Sequence, residues 1–206
     1  MAPMKTHMIR FPLWFAIAAL SCAESLRAQE VQEERPPLYA SMSVGVNVPT
    51  WNNVKPGFAL GAALGQIITE RSYAGAEVLY LRNAMDSETY MGITAHGTLE
   101  QIPVLVTYRY DVPRSDISLG NNPAWCLQVG GSVGAVMQKL TVFAYGVSVS
   151  ESQWAFALGG QAMAVYKINE ATWSNVGLKA IWTARTEFNE AAGTNIILTA
   201  GLNIRF

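Results

Sequence analysis

Charge is scarce in this chain: Asp, Glu, Lys and Arg together make up only 14% of the 206 residues, where soluble domains carry about a quarter. The formal net charge is −1 and the cations form no basic patch, so nothing electrostatic points to nucleic acid or to an acidic partner. Cysteine is scarcer still, with Cys22 and Cys126 alone. Long apolar runs are missing as well. Phe11 to Ala19 is the longest candidate, and a spanning helix needs about 20 apolar residues. Yet half of the residues are hydrophobic, so the apolar excess has to be spread over short segments.

The first residues carry Lys5 and Arg10, then the apolar run, then Ser25-Leu26-Arg27-Ala28. A charged start, a short apolar middle and a small-residue exit are the parts of a secretory signal peptide. Residues 1–28 are therefore expected to be removed, with cleavage after Ala28. Cys22 raises the alternative of a lipid anchor, but Ala19-Leu20-Ser21 before it fits that acceptor pattern poorly. Cleavage leaves Cys126 as the one cysteine, which excludes an internal disulfide although an exported protein would be allowed one. Residues 29–38 are mostly polar, carry Pro36-Pro37 before Leu38 and are expected to form an extended periplasmic leader. Residues 39–206 contain no linker and read as one domain.

Within that domain, period two dominates. Tyr39 to Val48 alternates Ala40, Met42, Val44, Val46 and Val48 with Ser41, Ser43, Gly45 and Asn47. This is a strand with one oily and one polar face. The same pattern recurs over Phe58 to Ile68, Tyr73 to Arg82, Leu99 to Tyr110, Ala124 to Met137, Trp154 to Tyr166, Trp173 to Phe188 and Thr194 to Phe206. Eight strands, an even number, fit an antiparallel up-and-down transmembrane β-barrel. With both chain ends in the periplasm, Thr69 to Ser72 and Lys167 to Thr172 are periplasmic turns. Asn83 to Thr98 and Gln138 to Ser152 then fall outside the cell as loops, although Leu140-Thr141-Val142-Phe143 is apolar enough to extend the flanking strands. Asp111 to Pro123 is long for a periplasmic turn.

A soluble barrel alternates too, with its apolar face inward. Three features favour a membrane. The polar face is crowded with glycine, which suits a narrow lumen better than a solvent surface. Aromatic residues on the oily parity gather near strand ends, with Tyr108, Tyr110, Trp125, Tyr166 and Phe206 at one end and Phe58, Tyr80, Trp154, Phe156 and Phe188 at the other, as interfacial girdles do. The last strand, TNIILTAGLNIRF, ends on an aromatic residue behind Leu202 and Ile204, the ending that the barrel assembly machinery of bacterial outer membranes docks on. Leu202, Ile204 and Phe206 are thus the expected assembly signal.

The segments LEQIPVLVTYRY, AWCLQVGGSVGAVM, WAFALGGQAMAVYKI and IILTAGLNIRF resemble the small outer-membrane β-barrel domain family widespread in Bacteroidetes-type bacteria, which is similar in architecture to OmpA/OmpX-type barrels. The resemblance covers roughly Tyr39 to Phe206. Its most specific piece is Glu100, Ile102, Pro103 and Tyr108, and Gln101 departs from the commoner pattern. It implies fold and location and carries over no catalytic residues.

Candidate sites follow from parity. Glu77, Arg109, Lys179, Arg185, Glu187 and Arg205 share the inward face and form the expected lumen charge network, since a charge in a narrow lumen needs a partner or water. It reads either as a structural plug or as a gated small-ion path through Glu77 and Lys179. Catalysis would need a Ser, His and acid constellation, for which only His96 with Ser87, Glu88 and Glu100 is available. Cys126 is inward and fits packing better than redox or metal chemistry. No cofactor and no metal are expected, and the partners expected are outer-membrane lipid and the assembly machinery, with the chain a monomer. The leading functional reading is a structural or surface-interaction protein acting through its extracellular segments; a narrow channel is the alternative.

Overall fold

The computed structural model describes residues 36–90, 93–113, 125–185 and 192–206. The expected signal sequence, the leader as far as residue 35, Glu187 and Phe188 lie outside the described residues. Among the described residues the chain forms β1 (Leu38–Pro49), β2 (Gly57–Thr69), β3 (Ser72–Ala84), β4 (Glu88–Tyr90), β5 (Ile93–Val112), β6 (Trp125–Ala144), β7 (Val147–Lys167), β8 (Thr172–Thr183) and β9 (Gly193–Arg205). Neighbouring strands pair antiparallel, β1 pairs with β9, and β3 pairs with β5, so eight strands close a ring. The three-residue β4 lies outside that ring, against β5. The chain is an eight-stranded antiparallel β-barrel.

The registers fix its shape. From Tyr39 the paired residues run through Gly65, Gly75, Thr107, Ser132, Gly159, Ile181 and Asn195, and the path returns to β1 at Pro49, ten residues beyond its start. With about 3.3 Å per residue and about 4.8 Å between strands, this stagger tilts the strands by roughly 40°. Such a barrel has an interior just wide enough for side chains. Glycine makes room where a ring must enter: Gly65 and Gly75 face each other across β2 and β3, and a Cβ on either would stand within 3 Å of the Tyr39 ring or hydroxyl. Pro103 lies within β5, and the Leu79–Pro103 and Tyr80–Ile102 pairs are missing from an otherwise continuous ladder, because proline has no N–H to give.

The inward parity carries Ser41, Asn47, Glu77, Gln101, Thr107, Arg109, Gln128, Lys179 and Thr199, all buried. It also carries an apolar cluster of Ala59, Leu79, Leu81, Leu105, Val136, Ala157, Ile181 and Ile197. Outside, Met42, Val44, Leu60, Leu64, Val106, Leu178 and Leu198 are exposed. Aromatic residues rim this wall, with Trp125 tilted against Tyr166 at 5.0 Å at one end and Phe58 near Tyr80 at 5.7 Å at the other. Trp182 joins the second rim.

Two segments expected as loops are strands. β6 and β7 continue through the whole of Gln138 to Ser152, broken only by Tyr145-Gly146. Both turn residues have positive φ, 52° and 73°, as a two-residue type I′ hairpin demands. Much of Asn83 to Thr98 is likewise β3, β4 and the start of β5. In the other direction β8 ends at Thr183, short of the Phe188 expected from sequence.

Candidate functional site

Two regions carry chemistry: the lumen, and the sheet that rises above the barrel. In the lumen, β3 presents Glu77 and β8 presents Lys179. These strands are not neighbours in the ring, so the side chains meet across the interior, where the Lys179 ammonium donates to Glu77 Oε1. Both are almost fully buried, which makes each the other's substitute for water. Arg109 of β5 is buried nearer the chain-terminal end, its guanidinium 5.7 Å from the Tyr39 ring centroid. Tyr39 meets Tyr73 edge-on at 6.0 Å, and Tyr73 meets Trp173 at 6.4 Å. The Tyr73 hydroxyl and Gln128 Nε2 both donate to Asp111, each at 2.8 Å.

Beneath these rings an open cavity of about 320 Å³ at the chain-terminal end is lined by Tyr73, Asp111, Cys126, Trp173 and Arg205, among others. Cys126 is half-buried here. Above the ion pair the apolar cluster fills the lumen, and above that sit amides: Asn47 Nδ2 donates to Asn83 Oδ1 at 2.8 Å and to Asn195 Oδ1 at 2.9 Å. Asn83 Nδ2 donates to the Lys55 carbonyl at 2.8 Å. The Trp51 indole covers Gly193, where any Cβ would collide with it.

The six expected lumen charges therefore do not form one network. Glu77 and Lys179 pair, and Arg109 is buried below them. Arg205 is exposed at the mouth of the cavity at the chain-terminal end. Arg185 is exposed beyond the last residue of β8, because parity continues past a strand end on paper but not in space. Glu187 lies outside the described residues. Of the assembly-signal residues, Leu202, Ile204 and Phe206 are exposed, and the Phe206 main chain exchanges two 3.0 Å hydrogen bonds with Leu38 across the β1–β9 seam.

The candidate catalytic group is only partly brought together: β4 sets Glu88 opposite Ala95, the residue before His96. His96 is exposed on β5, and Glu100 lies four residues along the same strand, about 13 Å away. The Glu100 carboxylate instead accepts from the Tyr80 hydroxyl at 2.7 Å.

The second region was only partly legible. β4, β5, β6 and β7 pair beyond the rim of the barrel, with His96 opposite Phe143. Residues 147–152 of β7, about 20 Å of strand, have no β8 partner among the described residues. Val142, Phe143, Tyr145, Val147 and Val149 are exposed there, Tyr145 by 79%. The apolar Leu140 to Phe143 was the signal that this stretch is not a polar loop.

Solved structures share this fold. Neisserial surface protein A is 14% identical, with 82% of this chain and 97% of that one covered and a TM-score of 0.56. Ail, the attachment invasion locus protein of Yersinia pestis, is 11% identical over 84% of this chain and 100% of that one, TM-score 0.54. A major outer membrane protein from Thermus thermophilus is 10% identical over 82% and 99%, TM-score 0.51. No protein-family model matches the chain, and no curated protein matches it. The likeness is one of fold, that of outer-membrane barrels.

Removing one partner of a buried ion pair leaves an uncompensated charge, which costs about 3 to 5 kcal/mol. Glu77→Ala is expected to lower the unfolding free energy of the detergent-folded barrel by that amount in urea titrations, and Glu77→Leu combined with Lys179→Met to restore most of it. A Glu77→Ala barrel as stable as wild type would show the pair to be indifferent.

Proposed function

We propose that the chain is an integral outer-membrane protein whose barrel is a closed anchor and whose protruding β4–β7 sheet is the working surface. The observation that carries this reading is the stretch of β7 at residues 147–152, which continues past the last β8 pairing among the described residues and is bordered by exposed valines and aromatic residues. A strand edge with apolar side chains is a template for an extended segment of a partner. The apolar outer wall between two aromatic rims supports the membrane setting, since hydrocarbon is the one solvent in which that wall is stable. In this reading the protein works as a monomer, and the chain-terminal end, which carries the short turns at 69–72 and 167–172, faces the periplasm.

The channel reading is the weaker one, because the apolar cluster and the amides fill the lumen above Glu77 and Lys179. In planar bilayers, wild type and Glu77→Ala are both expected to stay at baseline conductance; discrete openings that change in the variant would favour a gate. We further propose that Phe206 serves assembly through its exposed ring, since its structural hydrogen bonds are main-chain ones. Phe206→Ala should then reduce the fraction of heat-modifiable folded barrel in cells while leaving the stability of the folded fraction within about 0.5 kcal/mol. Undiminished folded protein would refute that role.

For the working surface, excising residues 142–149 and joining Thr141 to Ser150 through Asn-Gly should leave the barrel folded and inserted. Cell–cell and cell–surface adhesion conferred by the expressed protein should fall to the level of cells lacking it. Adhesion unchanged by the excision would sink the proposal.

A further inference from the structure

The outer wall of the described barrel strands is uncharged except in one place. Arg82 on β3, Glu100 on β5 and Lys139 on β6 are the only charged residues of those strands on the outward parity, and they are direct cross-strand partners in one row. Glu100 accepts from the Tyr80 hydroxyl at 2.7 Å. The cations flank it at longer range, Arg82 Nε 3.9 Å from Oε1 and Lys139 Nζ 4.0 Å from Oε2. Neither contact is within hydrogen-bond reach. The two cationic side chains are about half exposed, 54% and 45%, against 27% for Glu100. Their donors, up to five on a guanidinium and three on an ammonium, are thus half exposed and make no hydrogen bond to Glu100.

The row also has a definite depth. Arg82 is the next outward residue after Tyr80, in the aromatic rim at the far end from the chain termini. With strands tilted by roughly 40°, each step to the next strand climbs about 3 Å. Lys139 thus stands roughly 6 Å above Arg82 along the axis and roughly 10 Å from it across two strand spacings. A charge on the lipid face costs about 2 to 4 kcal/mol at mid-bilayer but only about 0 to 1 near the interface, and this row lies just beyond the rim, at headgroup height. Two separated cations with unspent donors fit acidic oxygens on a lipid headgroup, and they fit two phosphates held apart by a sugar unit better than one.

Resting on the outer-membrane reading, we propose that Arg82 and Lys139 bind the phosphates of a phosphorylated glycolipid in the outer leaflet, with Glu100 and Tyr80 as positioning residues. Glu100 spaces the cations and competes with the ligand for them. Tyr80 fixes Glu100 against the wall.

The test uses the full barrel in phosphatidylcholine nanodiscs containing either diphosphorylated lipid A or the same lipid stripped of phosphate, with retained lipid counted by native mass spectrometry. Wild type is expected to retain the phosphorylated form selectively. Arg82→Gln combined with Lys139→Gln should cut retention by about tenfold or more, as loss of charge-assisted contacts predicts. Glu100→Gln should raise retention, whereas a row that is only an internal ion-pair ladder would give no gain. Equal retention by the double variant, or equal retention of the stripped lipid by wild type, overturns the proposal. So does inorganic phosphate that displaces lipid A from wild type at equal concentration, which would assign the site to the free ion. Insertion is read separately by heat-modifiable migration: a chain that does not enter the discs overturns the outer-membrane reading and this proposal with it. An inserted chain indifferent to phosphate overturns this proposal alone.

Discussion

Every main-chain N–H and C=O group in hydrocarbon must find its partner within the protein, because an unpaired one costs several kcal/mol. Here the ring of eight strands supplies those partners, and the β1–β9 ladder joins the two edges that an open meander of these strands would leave. Other features follow from that closure. The ten-residue stagger sets tilt and width, width sets what the lumen can hold, and the lumen is accordingly filled by side chains, with aromatic rings, an ion pair, an apolar layer and amides. Among the described residues, the stretch of β7 that outruns β8 lies above the rim, where water can satisfy its main chain. Pro103 interrupts the ladder inside the barrel, and its lack of an N–H means that the donor side of the missing bond needs no partner.

The lumen is ordered along the axis. Aromatic rings and Arg109 stand near the chain-terminal end, the Glu77–Lys179 pair above them, then aliphatic side chains, then the asparagine bridge. An ion pair placed between aromatic and aliphatic layers is poorly hydrated, so its value lies in the loss incurred when one half is removed more than in any net gain over an apolar pair. That arrangement favours one packing of the interior over its alternatives.

Much of the architecture was legible in the sequence because a membrane barrel has one apolar face and the backbone period is two. Parity placed Glu77 and Lys179 inside and Met42 or Leu198 outside without knowledge of the register. Depth and length were not legible. Arg185 and Arg205 share inward parity with Lys179, but only the strand ends decide that one is beyond β8 and the other at an open mouth. The reach of β6 and β7 was blurred because Leu140, Val142 and Phe143 occupy both faces, so the alternation that marks a strand fades. The Arg82–Glu100–Lys139 row was invisible for a different reason. Each residue looks like an isolated charge near a strand end, and only the two registers that set Arg82 opposite Glu100 and Glu100 opposite Lys139 bring them together.

Seven of the eight seams in the ring join strands that follow one another along the chain or are separated only by β4; the seam between β1 and β9 joins Tyr39 to Arg205. A slip of two residues there would keep every side chain on its proper face, yet change the stagger from ten to about eight or twelve and with it the diameter of the barrel. Hydrophobic patterning cannot detect such an error. Asn47 can, since its amide bonds Asn195 on β9 and Asn83 on β3 at once, and a shifted β9 would carry Asn195 out of its reach. The buried asparagine bridge thus acts as a gauge that holds the barrel to one bore.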